Sequence, residues 1–210
     1  MNKSKYFLYG ASGHGKVILE ILESLDIKVE GFFDDGERVQ NSILNTPVLG
    51  KFLTYDWDQN DTIIISIGNN IIRKKVSNEL KVSFGKAIHQ KSIISPSSSI
   101  DEGTVVMGGA VVNAQTTIGK HCIINTNASI DHDCVIEDFV HISPNVALAG
   151  NVKVKAMSHI GIGASIIQGV VIGENVTIGA GTVVINDVPD NTVVVGCPGR
   201  VIKYKEIENG

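Results

Sequence analysis

From Ile94 to Val184 an aliphatic residue returns at every sixth position: Ile94, Ile100, Val106, Val112, Ile118, Ile124, Ile130, Ile136, Ile142, Leu148, Val154, Ile160, Ile166, Ile172, Ile178 and Val184. Four places after each stands a small or β-branched residue, a second series running from Ser98 and Thr104 through Ala110, Cys122, Cys134 and Ala164 to Thr182 and Val188. A period of six is neither the 3.6 of a helix nor the simple alternation of a strand. Sustained over this length, it signals a parallel β-helix in which short strands are joined by tight turns. The large aliphatics are expected to fill the interior and the small residues to lie inward beside the turns. Because the register never slips, no loop is expected to protrude between about residues 88 and 188.

This pattern resembles the hexapeptide-repeat acyltransferases, which implies a left-handed, triangular helix with three hexapeptides per coil. Residues 18 apart should then stack in columns at the inter-strand spacing of about 4.8 Å.

Before the repeat the periodicity changes. Tyr6–Tyr9 is a short apolar strand, followed by Gly10-Ala11-Ser12-Gly13-His14-Gly15 and a helix with Val17, Ile18, Ile21, Leu22 and Leu25 on one face. Val29–Phe33 reads as a second strand ending in Asp34-Asp35. The third, Thr62–Ile67, is almost wholly apolar, as befits a strand buried on both faces; Gly68-Asn69-Asn70 and a second helix follow. The chain thus reads as an α/β half-Rossmann domain (βαβαβ) over residues 1–85 and a β-helix over residues 86–210, with ligands expected beyond the carboxyl ends of the N-terminal strands.

The glycine loop follows a strand and opens a helix, the setting for phosphate binding: glycines let the backbone approach, and the helix N-terminus supplies donors. It holds Gly10, Ser12 and Gly15 where the dinucleotide fingerprint has three glycines. With only one mononucleotide-sized half present, this argues against NAD. Asp34 and Asp35 are placed to hydrogen-bond a ribose or base, or else to close the strand in a turn with Gly36. His14 is either a solvated loop residue or a ligand contact.

Composition narrows the picture further. At 210 residues and a net charge of −4 the chain has no basic excess that would suggest nucleic acid. Cys122 and Cys134 fall on the small inward position, where a thiol behaves as a buried hydrophobe, and Cys197 lies outside the register. Three cysteines without a pairing pattern suit a reducing compartment. Without a signal peptide or an apolar stretch approaching the roughly 18 residues of a membrane span, the chain reads as cytoplasmic.

Four histidines lie in the repeat, His121, His132, His141 and His159, none at an inward position, which weakens the reading of any as a core residue. His141 and His159 are 18 apart and should share one exterior column. His132 and His141 are 9 apart, hence on different faces, and can serve one site only if a neighbouring chain packs in. In the run Ile130-Asp131-His132-Asp133-Cys134, an imidazole suited to proton removal stands beside a carboxylate that can orient it and raise its basicity.

Taken together, the GASGHG loop, the DD pair, the IGNN turn, the SIDHDCVIEDFVHISPNVALAGNV block and the terminal VGCPGR resemble the sugar-nucleotide acetyltransferases of the NeuD, or sialic-acid O-acetyltransferase, type. The likeness extends from about residue 5 to 203 and is greatest to the UDP-4-amino-sugar N-acetyltransferases of bacillosamine synthesis. It implies that His132 is the general base and Asp133 the acid beside it, one methylene shorter than the Glu of better-known relatives. Ser12, Gly13, His14, Asp34, Asp35 and Gly68 match sugar-nucleotide contacts. His141, Ile162 and Ala180 match acetyl-CoA contacts, Ala180 replacing a glycine of some relatives, and Pro198-Gly199 stands where Pro-Ala is usual. The implied protein is a homotrimer with intersubunit sites that transfers acetyl from acetyl-CoA to a nucleotide-linked amino sugar, without a metal. The rival readings are a sialic-acid-type O-acetyltransferase, disfavoured by the nucleotide loop and acidic pair, and a non-catalytic sugar-nucleotide-binding protein. A zinc enzyme of the γ carbonic anhydrase type would need an H-x-x-x-x-H pair, which the sequence lacks.

Overall fold

The computed structural model describes residues 5–36 and 41–206. The N-terminal part is built from β1 (Tyr6–Tyr9), α1 (Gly13–Ser24), β2 (Val29–Phe33), β3 (Ser42–Ile43), β4 (Thr46–Gly50), β5 (Thr62–Ile65), α2 (Asn70–Glu79) and β6 (Ser83–Phe84). They form one sheet in the order β3-β4-β2-β1-β5-β6, parallel except for the β3–β4 hairpin. The sheet is larger than the three strands legible in the sequence. Between β2 and β5 the described residues hold the hairpin and a 3₁₀ turn, Phe52–Thr54, in place of a crossover helix. Leu44 and Asn45 carry the positive φ values, 46° and 69°, that a two-residue hairpin turn of this hand requires. On β4, Thr46, Val48 and Gly50 alternate inward.

The strand order reverses at β1, so β2 and β5 diverge on either side of it. Ser66 closes the crevice from below, its hydroxyl donating to the carbonyls of Gly10 at 2.7 Å and Tyr9 at 3.0 Å.

From Ala87 onward, two-residue strands stack into three parallel ladders, and partners are 18 residues apart, as in Val105↔Ile123 and His141↔His159. The first ladder runs through 87–88, 105–106, 123–124, 141–142, 159–160 and 177–178 before Thr192–Val195 and the antiparallel Arg200–Tyr204 extend it. The aliphatic series from Val106 to Val184 is buried throughout; Ile94 and Ile100, on the first coil, are only partly covered. From Thr104 to Val188 the small series is buried with it. Its hydroxyls also do backbone work: Thr116 Oγ1 donates to Asp131 O at 2.7 Å and accepts from Cys134 N at 3.2 Å. Thr104 and Ser158 repeat the pattern on other coils.

Most corners turn through a residue of positive φ, among them Asn127, Asp133, Asn145, Asn151 and Asn175. Asn and Asp tolerate this left-handed conformation better than other side chains. One apolar cluster joins Ile18, Leu19, Ile21 and Leu22 of α1 to Ala87, Val105, Met107 and Ile123, so the N-terminal sheet is seated on the face of the first ladder.

Cys122 and Cys134 are completely buried and Cys197 is exposed. Burial pushes the Cys122 thiol up to about 12. Titration of the native protein with a thiol reagent should therefore modify Cys197 alone, and all three only after denaturation; rapid native labelling of either interior thiol would show the register to be wrong.

Candidate active site

The sequence-derived candidates fall into three groups. The first gathers at the ends of β1, β2 and β5. Gly10 adopts φ 116°, and a Cβ there would stand 2.7 Å from Ile67 Cγ1. At Gly15 a Cβ would lie 2.7 Å from Gly10 O. Both glycines are thus required by close packing of loop, helix and sheet. Ser12 is the N-cap of α1 but makes no side-chain cap bond. Apart from their chain neighbours and, for Gly13, the backbone of its own helix, no described atom lies within 4 Å of the Cβ positions of Gly13 and Gly68, so both border open space.

Both carboxylates of the acidic pair have partners inside the domain. Asp34 accepts from Ala11 N at 2.7 Å through Oδ2 and from Gly36 N at 2.9 Å through Oδ1. Asp35 accepts from Tyr9 Oη at 2.8 Å and from Phe52 N at 3.1 Å. Burial first, and then Asp35, pushes the Tyr9 phenol well above its ordinary value. The turn-closing role of the pair is therefore real. Each carboxylate has about four lone-pair sites, so this role leaves acceptor capacity for a ligand.

The second group lines a cleft of about 380 Å³ between the two parts of the chain, walled by Gly68, Asn69 and Asn70 on one side and His141, His159 and Lys205 on the other. The two imidazoles stack at 4.6 Å with an interplanar angle of 2°. Thr126 N donates to Asn125 Oδ1, which turns Asn125 Nδ2 toward His141 Nε2 at 3.2 Å. Ser143 Oγ meets His159 Nε2 at 2.8 Å. Burial lowers His141 to about 3 and, with help from Arg73, His14 to about 4. These imidazoles are neutral at pH 7 and suit hydrogen bonding rather than charge pairing.

His132 stands apart. It follows strand Ser129–Ile130 of the second ladder, whereas His141 lies on the first. Its side chain is 58% exposed. Nδ1 lies 2.7 Å from Asp133 Oδ2. An ionised carboxylate only accepts, so in the neutral ring Nδ1 carries the proton and Nε2 the lone pair. Asp131 Oδ1 accepts from His132 N at 2.8 Å and from Asn113 Nδ2 at 2.9 Å, pinning the turn. The hydrogen bond that His132 donates to Asp133, followed by the charge of Asp131, raises the imidazole above its ordinary value. The ring lies over Gly150, where a Cβ would fall 2.6 Å from Cε1 and 2.7 Å from Nε2. Ile162 and Ala180, 18 apart, are both exposed on another edge, and Gly181 N donates to Ile162 O at 2.8 Å.

His121 departs from the exterior reading of the four histidines. It is only 4% exposed, stacked on Phe139 at 5.2 Å and edge-on to Phe84 at 4.5 Å. The hexapeptide register puts it on the outside of its own coil, and the N-terminal part then covers it.

Sequence reasoning also missed Arg73. This side chain is 1% exposed, yet among the described residues its bonds go to carbonyl and amide oxygens and to no carboxylate. Nε donates to His121 O at 2.8 Å, Nη1 to Ile67 O at 2.9 Å and Gly68 O at 3.1 Å, and Nη2 to Asn70 Oδ1 at 2.8 Å and Phe139 O at 3.0 Å. Burial lowers it to about 10, so it remains a cation at neutral pH.

Residues 5–80 match the PglD N-terminal domain family. Along nearly the whole chain the fold is that of a perosamine N-acetyltransferase variant from Caulobacter crescentus, solved with CoA and GDP-perosamine: 33% identity, 95% of this chain and 97% of that one, TM-score 0.89. The acetyltransferase domain of PglB from Neisseria gonorrhoeae FA1090, solved with acetyl coenzyme A, is 36% identical over 96% of this chain and 100% of that one, again at TM-score 0.89. The chain belongs to the PglD-type sugar-nucleotide N-acetyltransferases. Curated relatives include the serine acetyltransferase of Synechococcus elongatus, 44% identical over 73 residues; this match takes in 31% of the chain and spans only 30% of that enzyme. In this PglD-type chain no helix among the described residues is long and apolar enough to cross a membrane. Nor do three or more His, Cys, Asp or Glu side chains among them cluster as metal ligands.

The histidine environments predict a wide spread of titrations. By NMR, His132 should titrate above an ordinary histidine and return toward the ordinary value in Asp133→Asn, while His14 and His141 remain neutral until about pH 4 and about 3 respectively. An unshifted His132 would remove the carboxylate from any role in its basicity.

Proposed function

We propose that the protein is an acetyl-CoA-dependent N-acetyltransferase that acetylates the amino group of a nucleotide-linked sugar, UDP being the nucleotide, and that it works as a homotrimer. The observation that carries this reading is the His132–Asp133 pair, at 2.7 Å on an exposed imidazole whose Nε2 is left to take a proton. It occurs in a chain 33% and 36% identical to relatives solved with CoA and GDP-perosamine or with acetyl coenzyme A.

In this reading Ser12, Gly13, His14, Asp34, Asp35 and Gly68 hold the sugar nucleotide. His141, Ile162 and Ala180 contact acetyl-CoA. His132 and His141 lie on different ladders of one chain, so a site that uses both is completed by a neighbouring subunit. The sugar amine attacks the thioester carbonyl carbon while His132 Nε2 takes its proton. The C–S bond then breaks, the thiolate of CoA leaves, and the proton held by His132 is available to it. Placing two substrates in attacking geometry supplies much of the acceleration, and the base a further part.

A panel of UDP-, GDP- and dTDP-linked 4-amino sugars in a CoA-release assay tests the activity. Release should follow one nucleotide-linked amine; transfer only to a sugar hydroxyl would replace the reading by an O-acetyltransferase, and binding without release by a sugar-nucleotide-binding protein. His132→Ala should lower kcat by about 10² to 10⁴ while the fold and trimer survive. Asp133→Asn should cost less and, because His132 loses the contact that raises it, move the acid limb of the rate profile to lower pH. Near-normal turnover of His132→Ala would remove it as the base.

Gly150→Ala separates the steric role of that glycine from stability. Its φ lies outside the left-handed range, so the backbone accepts alanine, but the new methyl must displace the His132 ring. The expected result is a folded trimer with kcat reduced by up to about 10² and both KM values little changed. Full activity would mean that the ring has room to reseat.

A further inference from the structure

Along one edge of the β-helix the N-terminal part and the C-terminal strand lie over the turns. There the carbonyls of His121, Phe139, Met157 and Asn175, each 18 residues from the next, are met in turn by side chains: Arg73 Nε at 2.8 Å, Arg73 Nη2 at 3.0 Å, Asn70 Nδ2 at 2.9 Å and Lys205 Nζ at 2.6 Å. Asn70 also reaches Ser158 O at 3.2 Å. The same guanidinium grips Ile67 O and Gly68 O, the carbonyls that open the loop between β5 and α2. Its five N–H donors make five hydrogen bonds, split between the loop-and-helix side and the β-helix.

We propose that Arg73 is a positioning residue for acetyl transfer: by clamping the Gly68–Asn70 turn to the carbonyls of His121 and Phe139, it sets the height of the sugar-nucleotide loop over the coils that carry His141 and His159. The argument rests on the nucleotide-sugar reading of the site. Gly68, Asn69 and Asn70 form one wall of the cleft and His141 and His159 the other. Arg73 is bonded across the junction of these walls. Lysine cannot substitute, since three donors radiating from one nitrogen cannot span both sets of carbonyls as a planar fork does. The clamp concerns the relation between the two substrates, so its loss should leave each substrate's own contacts in place.

The test compares Arg73→Lys and Arg73→Met with the parent, using the best acceptor from the nucleotide-sugar panel. Dissociation constants for that sugar nucleotide and for acetyl-CoA are measured separately by calorimetry, and kcat at saturation of both. Expected are folded trimers with both binary affinities at parental values and kcat reduced by about 10²-fold, the scale of a 1 Å misplacement. Parental turnover in Arg73→Lys would show that the buried charge alone matters and overturn the clamp. Lower melting temperature with parental kcat per folded enzyme would leave only a structural role and overturn it as well. If neither variant folds, Asn70→Ala, which removes one rung and a partner of Nη2, decides: parental kcat overturns the proposal and reduced kcat with intact binary affinities supports it. Inactivity of the parent with every amino-sugar nucleotide, by contrast, sinks the reading of the site itself.

Discussion

Everything in this molecule is referred to the 18-residue coil. A parallel ladder satisfies its backbone only when successive coils stack in register, and the interior must be filled to the same cross-section at every level. Large aliphatics and small residues alternating at fixed offsets meet both demands. The result is a rigid ruler on which any chemistry repeats in columns. His141 lies over His159, His121 over Phe139, and Ile162 shares an edge with Ala180. His132 belongs to a different corner, which is why within a single chain the proposed base and the cleft do not meet.

The ruler also creates a difficulty where the N-terminal sheet sits on it. Covering a corner strips water from its carbonyls, and a buried unsatisfied polar group costs about 1–3 kcal/mol. Arg73, Asn70 and Lys205 answer this with donors spaced to the coil repeat. The solution has an electrostatic consequence. With its five donors on neutral oxygens, Arg73 adds its charge to desolvation in lowering His14, His121, His141 and His159. Desolvation first, and this cation after it, therefore set the covered histidines apart from the exposed His132, whose acidic neighbours make it more basic.

Local geometry explains how Asp133 reaches His132. Its position requires φ 59°, a conformation Asp tolerates, and from that turn the short carboxylate still reaches Nδ1 at 2.7 Å. The acidic pair after β2 illustrates the opposite relation. Asp34 and Asp35 are tied to Ala11, Gly36, Tyr9 and Phe52, so the residues that match ligand contacts also hold the loop and strand ends that would form the site.

By itself the sequence determined the β-helix, its register, the buried cysteines and the strand-loop-helix opening, because each depends on periodicity or on local backbone chemistry. It also determined that His132 and His141 lie on different faces, since a fixed period converts sequence separation into position. The hairpin at 42–50 escaped notice because two short strands around Leu44-Asn45 carry too few residues to show alternation. Only the tertiary structure decided the fates of His121 and Arg73. One becomes buried although its register points outward, and the other, indistinguishable in sequence from Lys74 and Lys75 beside it, becomes the bridge between the two parts of the chain. Both outcomes are set by how the N-terminal sheet docks on the coils. Docking depends on contacts between residues 48 and 66 positions apart, and neither period nor motif records them.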